Sequence, residues 1–297
     1  MNFSGLYAAT LTPFNADESI NHQDLVALIQ YNCASGLDGL YVGGSTAEAF
    51  LCSTQERIDT LALTAEAAVA TETAEKKVKL IAHVGDISTQ KSETIARAAG
   101  AMPYDAISAV TPFYYPVAFN ELKKHYNDII QAAGKPMVVY NFPAFAGMNL
   151  SGEQISELLN IDGVVALKQT SANLYQMEQI TRANPEKTVF NGFDEILASG
   201  LIAGAQGGIG STYNIQAQRV IAIQDAIANN DAAKATALQR EANTVIDTLV
   251  AAGVIPGLKY VLKRKGIIAN DYCRRPLNAV TDENKAKLDQ LIEAGLC

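Results

Sequence analysis

Eight short apolar runs with β-like composition alternate along this chain with longer stretches of helical spacing. The runs are residues 8–12, 39–42, 78–83, 106–110, 137–140, 164–167, 188–190 and 206–209, the last being the weakest because it is rich in glycine. The first helical stretch starts near Asn21, an N-cap residue type, and carries Leu25, Leu28 and Ile29 on one face. Others follow at 55–70, 88–99, 119–132, 151–159 and 174–183. Strand–helix alternation predicts a parallel sheet covered by its crossover helices, and eight repeats predict that the sheet closes into a (β/α)8 TIM barrel. An open doubly wound sheet would carry a Gly-x-Gly-x-x-Gly turn after its first strand, and none follows Thr12. From Ile215 onward the pattern is helical only, at 215–229, 232–252, 258–265 and 282–294. No Pro-, Gly- or Ser-rich linker interrupts the chain. The expectation is a single domain over residues 1–297, with a barrel of residues 1–214 and a C-terminal helical extension of residues 215–297 packed on it.

The charge pattern excludes some functions. Net charge is −8, and the longest basic cluster, residues 259–265, reads as one face of a late helix, so nucleic acid is not an expected partner. An anionic substrate would need a local donor site, not the overall field. Four cysteines (Cys33, Cys52, Cys273, Cys297) and three histidines (His22, His83, His125) are scattered without zinc-ligand spacing, so a metal-dependent mechanism is not expected. The cysteines suit reduced thiols in a cytoplasm. Residues 1–14 lack the basic region and apolar run of a signal peptide, and no segment reaches the ~18 apolar residues of a membrane span. A cytoplasmic protein without a membrane partner is expected.

In such a barrel the active site gathers at the C-terminal ends of the strands. Lys168 stands at the end of the sixth apolar run, where a turn residue is usual. A lysine in a pocket loses its proton more readily, and the neutral amine can form a Schiff base with a ketone. The plainer reading is a lysine snorkelling to the surface. Thr170 and Ser171 place hydroxyls nearby. Tyr140 ends the preceding strand, where its phenol could relay a proton or merely wedge the barrel mouth. Gly43-Gly44-Ser45-Thr46 could seat a carboxylate or phosphate at a helix N-terminus, or act as a simple cap. Asp194-Glu195 offers acceptors for sugar hydroxyls, or an acidic helix start. The glycine-rich stretch 204–211 lies where many barrels hold phosphate but matches no P-loop.

Together, Gly43-Gly44-Ser45-Thr46, Tyr140-Asn141-Phe142-Pro143 and Lys168-Gln169-Thr170-Ser171 resemble the pyruvate-dependent Schiff-base aldolases, the family of dihydrodipicolinate synthase and the sialic acid lyases. Residues 110–116, 174–180, 208–214 and 273–276 are similar to segments of the lyase branch, and the likeness runs in order through the whole chain. The resemblance implies a metal- and cofactor-independent aldolase that reversibly splits N-acetylneuraminate into pyruvate and N-acetylmannosamine. It implies Lys168 as the Schiff-base lysine, Tyr140 as proton relay, and Ser45 and Thr46 as carboxylate site. It implies Gly192, Asp194, Glu195 and Ser211 as contacts to the polyhydroxyl tail, and Thr170 as a substrate or supporting contact. Tyr114 would reach an adjacent subunit's site in a homotetramer. Another 2-keto-3-deoxy sugar acid as substrate, or a non-catalytic sensor, are the alternatives; the presence of both Lys168 and Tyr140 speaks against a sensor. Phe145 occupies the position where the synthase branch carries an arginine, so a dicarboxylate would lose its guanidinium clamp. Ala47 stands where the family usually has glycine, and alanine resists a positive φ, which leaves the geometry of that turn open.

Overall fold

The computed structural model describes residues 3–73 and 77–297. Eight strands form one closed parallel barrel in sequence order, with β8 returning to pair with β1. They are β1 (Gly5–Ala9), β2 (Gly39–Val42), β3 (Lys79–His83), β4 (Ala106–Val110), β5 (Met137–Asn141), β6 (Val164–Gln169), β7 (Thr188–Asn191) and β8 (Gly207–Gly210). The helices are α1 (His22–Ala34), α2 (Thr54–Val69), α3 (Thr89–Gly100), α4 (Phe119–Ala133), α5 (Pro143–Ala146), α6 (Gly152–Leu159), α7 (Leu174–Ala183), α8 (Leu197–Ile202), α9 (Tyr213–Ala228), α10 (Ala232–Ala252), α11 (Val254–Arg264) and α12 (Asp282–Glu293). Asn21 does cap α1, its side-chain oxygen accepting from the Asp24 N–H at 3.0 Å.

The first strand sits three residues earlier than the apolar run suggested. Residues 5–12 are buried without a break, so no alternation marks where pairing stops. Pairing itself sets the strand, with Gly5 opposite Gly207 and Tyr7 opposite Gly39. β5, β6 and β7 run past their apolar residues to Asn141, Gln169 and Asn191. Lys168 is therefore within a strand, not beyond its end. The Asn141 side chain donates to Gln169 Oε1 at 2.8 Å, which links two buried amides across the β5–β6 pair.

Inside the barrel, Tyr7, Tyr41, Ile81, Val138, Ala166, Phe190 and Ile209 fill the axis, so the interior is a packed core and not a channel. A larger apolar layer joins the strands to the surrounding helices. A third, built from Leu28, Ile215, Val245, Leu249, Leu258, Val261 and Leu288, seats the C-terminal helices. Helix α11 starts at Val254, four residues before the expected 258, because Pro256 lies in its first turn, where no intrahelical N–H is needed. α10 and α11 meet at a 112° bend that folds α11 back toward the barrel mouth, and among the described residues no single helix is long and apolar enough to cross a membrane.

Candidate active site

Lys168 lies at the floor of a cavity of about 650 Å3 at the C-terminal ends of the strands. Its partner in the sheet register is Tyr140, so the two side chains leave adjacent strands on the same face. The ammonium nitrogen sits 4.3 Å from the centre of the Tyr140 ring and 4.5 Å from that of Tyr41. Burial is the main influence on this amine and brings its pKa down to about 7, while the nearby Asp194 carboxylate pulls weakly the other way. Tyr41 is held by its hydroxyl, which donates to Ser108 Oγ at 2.9 Å; Ser108 in turn donates to the Val138 carbonyl at 2.7 Å. Beside them the buried His83 ring donates from Nδ1 to the Gly43 carbonyl at 3.0 Å and accepts from the Val110 N–H at Nε2. That pairing needs the neutral imidazole, and desolvation holds its pKa well below the usual histidine value.

Tyr140 is buried, and desolvation raises its phenol to about 12. The hydroxyls of Ser45 and Thr170 face it and act in the opposite direction. Thr170 Oγ1 is itself buried.

Ser45 and Thr46 are half-buried on one wall. The sequence pattern suggested that they open a helix. They instead form a single 3-10 turn, Ser45–Ala47, and α2 begins only at Thr54 with its own Ser53–Glu56 capping box. Gly43 supplies the positive φ (74°) that turns the chain out of β2, and Gly44 lies flat on the Tyr41 ring, where a Cβ would be 2.7 Å from a ring carbon. The Ala47 question resolves simply. The left-handed residue in this turn is Glu48 (φ 56°), so Ala47 is not asked for a positive φ. Glu48 was invisible as a functional candidate because its partner, Lys259, is 211 residues away.

The opposite wall carries Gly192, Asp194, Glu195 and Ser211. Asp194 is more constrained than expected of a tail contact. Its Oδ2 accepts from the Thr212 N–H at 2.8 Å and from Thr212 Oγ1 at 2.7 Å. Burial nevertheless raises its pKa to about 6, against those two hydrogen bonds. Its Oδ1 rests above Gly210, where a Cβ would come within 2.2 Å. Glu195 is exposed on the cavity wall. Gly192 is required by Thr170, whose Oγ1 would lie 1.9 Å from an added Cβ.

The glycine-rich stretch 204–211, which lies where many barrels hold phosphate, is mostly strand β8. Added Cβ atoms would meet the Gly5 carbonyl oxygen at 1.9 Å from Gly207 and the Tyr213 hydroxyl at 2.4 Å from Gly208. These glycines serve close packing, not a phosphate. Nine of the ten residues singled out from sequence line the one cavity. The exception is Tyr114, which stands 84% exposed at φ 80° with its ring 4.9 Å from that of Tyr115. The cavity's outer wall is C-terminal: Ile255 and Pro256 of α11, then Pro276 and Leu277. Sequence reading missed these, since apolar residues in a helical tail carry no sign of facing a site. Among the described residues no three His, Cys, Asp or Glu side chains gather as metal ligands would.

Residues 2–295 match the dihydrodipicolinate synthetase family. The chain is 50% identical over 293 residues to the N-acetylneuraminate lyase of Enterobacter sp. (strain 638), covering 97% of each. It is similar in structure to CdNal from Clostridium difficile in complex with mannosamine, with a TM-score of 0.93, 32% identity and 99% of each chain covered. It is also similar to N-acetylneuraminate lyase from Fusobacterium nucleatum complexed with pyruvate, with a TM-score of 0.90 and 34% identity over 98% of this chain and 96% of that one.

Proposed function

The chain belongs to the dihydrodipicolinate synthetase family, and from that premise we infer that it is a Schiff-base aldolase reversibly cleaving N-acetylneuraminate to pyruvate and N-acetylmannosamine. The observation that carries this reading is Lys168: a buried amine with a pKa near 7, set between two tyrosine rings in a cavity of about 650 Å3. That volume is within the range of small-molecule sites. The 50% identity to an N-acetylneuraminate lyase supports the choice of substrate.

The open-chain sugar acid sets its carboxylate on Ser45 and Thr46. The neutral Lys168 amine adds to the C2 ketone, and loss of water leaves an iminium. The C3–C4 bond then breaks, its electron pair flowing into the iminium to give an enamine. Tyr140 takes the C4 hydroxyl proton as the aldehyde of N-acetylmannosamine forms. With a pKa near 12 the phenol is a poor standing base, so it works as a relay, passing its own proton on as it receives one. The proton lost at the C4 hydroxyl balances the one gained at C3 of the enamine. Hydrolysis of the resulting iminium frees pyruvate and the amine. Asp194 Oδ1, Glu195, Ser211 and the Thr170 hydroxyl face the tail.

The assembly we read is a homotetramer. Tyr114, Tyr115 and Phe145 are 84%, 66% and 73% exposed, an aromatic surface that association would cover, and on this reading Tyr114 enters a neighbouring site. The four cysteines, none of them in a disulfide, suit the reducing cytoplasm.

Turnover of N-acetylneuraminate, followed as pyruvate released, tests the reading. Pyruvate with borohydride should leave a reduced adduct on Lys168, and Lys168→Ala should lose both adduct and turnover. Adduct formation without cleavage of N-acetylneuraminate would assign the site to another sugar acid or to a sensor.

A further inference from the structure

Beneath the Ser45–Ala47 turn lies an ion pair with no exposure on either side chain. Glu48 Oε1 accepts from Lys259 Nζ at 2.5 Å, and Glu48 Oε2 accepts from the Arg274 N–H at 2.7 Å. Lys259 also donates to the Tyr272 carbonyl at 2.8 Å and lies 4.4 Å above the Phe14 ring. We propose that this pair is a positioning device for the carboxylate seat: it holds the turn that presents Ser45 and Thr46, and ties it to the C-terminal segment that walls the cavity. The proposal rests on the reading of Ser45 and Thr46 given above.

Three observations support it. First, Glu48 is a non-glycine residue in the left-handed region, a conformation that persists only where surroundings enforce it. Its N–H donates to the Ser45 carbonyl at 3.0 Å, so the strained residue itself closes the turn carrying the seat. Second, a buried ion pair roughly breaks even against apolar residues of similar volume, so stability does not account for it. Third, both of its partners lie on segments that supply the cavity's outer wall. Lys259 is on α11, whose Ile255 and Pro256 line the cavity, and Arg274 precedes Pro276 and Leu277, which do the same. Glu48 lines an adjoining cavity of about 290 Å3 that shares Ser45 with the main one, but its side chain and that of Lys259 have no exposure, so the pair acts through Ser45 and Thr46 and is not catalytic.

The test compares two ketones that can both form a Schiff base with Lys168. Pyruvate has a carboxylate; hydroxyacetone does not. Borohydride trapping at Lys168 is measured as a function of each ketone's concentration, and the ratio of their half-saturation concentrations is the readout. Glu48→Gln should shift that ratio at least tenfold against pyruvate, with the loss in turnover falling on KM more than on kcat. If the single variant does not fold, Glu48→Leu/Lys259→Met, which removes both charges together, supplies the same ratio. A double variant Ser45→Ala/Thr46→Ala is run beside them. Should it shift the ratio while the pair variants do not, the positioning role is wrong and the carboxylate seat stands. Should it leave the ratio unchanged, the seat itself is misassigned. An unchanged ratio with a lowered melting temperature in the pair variants would mark the ion pair as structural only and overturn the proposal.

Discussion

An amine with a pKa near 7 is about half protonated at neutral pH, so the rate of Schiff-base formation should rise through pH 7 and level off above it. Single-turnover trapping with pyruvate across pH 5–9 checks this, and a midpoint near the ordinary lysine value would contradict it. The same burial has a stability consequence of definite sign. The unfolded chain holds this proton up to about pH 10.4, whereas the folded one gives it up near 7. The unfolded state therefore binds more protons between those values, and the penalty on folding is full below pH 7 and fades toward pH 10. Lys168→Met should melt a few degrees above the parent at pH 6, with a smaller gap at pH 9, while losing all turnover. Tyr140→Phe removes only the hydroxyl; turnover should fall ~10²–10⁴-fold while the pyruvate adduct still forms. Both residues were legible in the sequence because a lysine or tyrosine at the end of an apolar run must be explained. Glu48 and Lys259 were not. A lysine in a basic helical stretch looks like a surface residue, and its burial depends on a glutamate far away in sequence.

At the scale of elements, Gly192 just after β7 and the glycines of β8 determine where the wall proposed to face the sugar stands. Gly210→Ala puts a methyl into Asp194 Oδ1 and should push that carboxylate off Thr212. We expect kcat/KM for N-acetylneuraminate to fall tenfold or more, with pyruvate trapping little changed; an equal loss for both ligands would show that the wall does not serve the tail. Asp194→Ala is a less clean probe than Glu195→Ala, since Asp194 also anchors Thr212, and losing those hydrogen bonds costs about 1–3 kcal/mol of stability. The strand–helix alternation was readable because fully buried parallel strands appear as continuous apolar runs. The same property hid their ends: nothing in residues 5–12 distinguishes the paired half from the rest. β8 read as the weakest strand for a physical reason too. Its glycines make room for the Gly5 backbone, the Tyr213 hydroxyl and the Asp194 carboxylate, none of which is adjacent in sequence.

For the whole molecule, the exposed Tyr114–Tyr115 pair is the place to test assembly. Tyr114→Ala should shift the sedimentation profile toward smaller species and lower turnover together; a variant that stays assembled and fully active would refute its place in a neighbour's site. One further consequence follows from the filled barrel interior. With Tyr7, Tyr41 and Phe190 closing the axis, the amine can be reached only from the mouth. On the proposed reading, the three-carbon fragment bound to Lys168 lies deeper than the fragment near Glu195. The sugar must therefore depart before the keto acid can, and the water that hydrolyses the iminium must enter through the space the sugar has left. Cleavage is thus an ordered release, N-acetylmannosamine first and pyruvate last. In product-inhibition kinetics pyruvate should compete with the sialic acid for the free enzyme, while N-acetylmannosamine should inhibit in the mixed pattern of a ligand that meets only the occupied one.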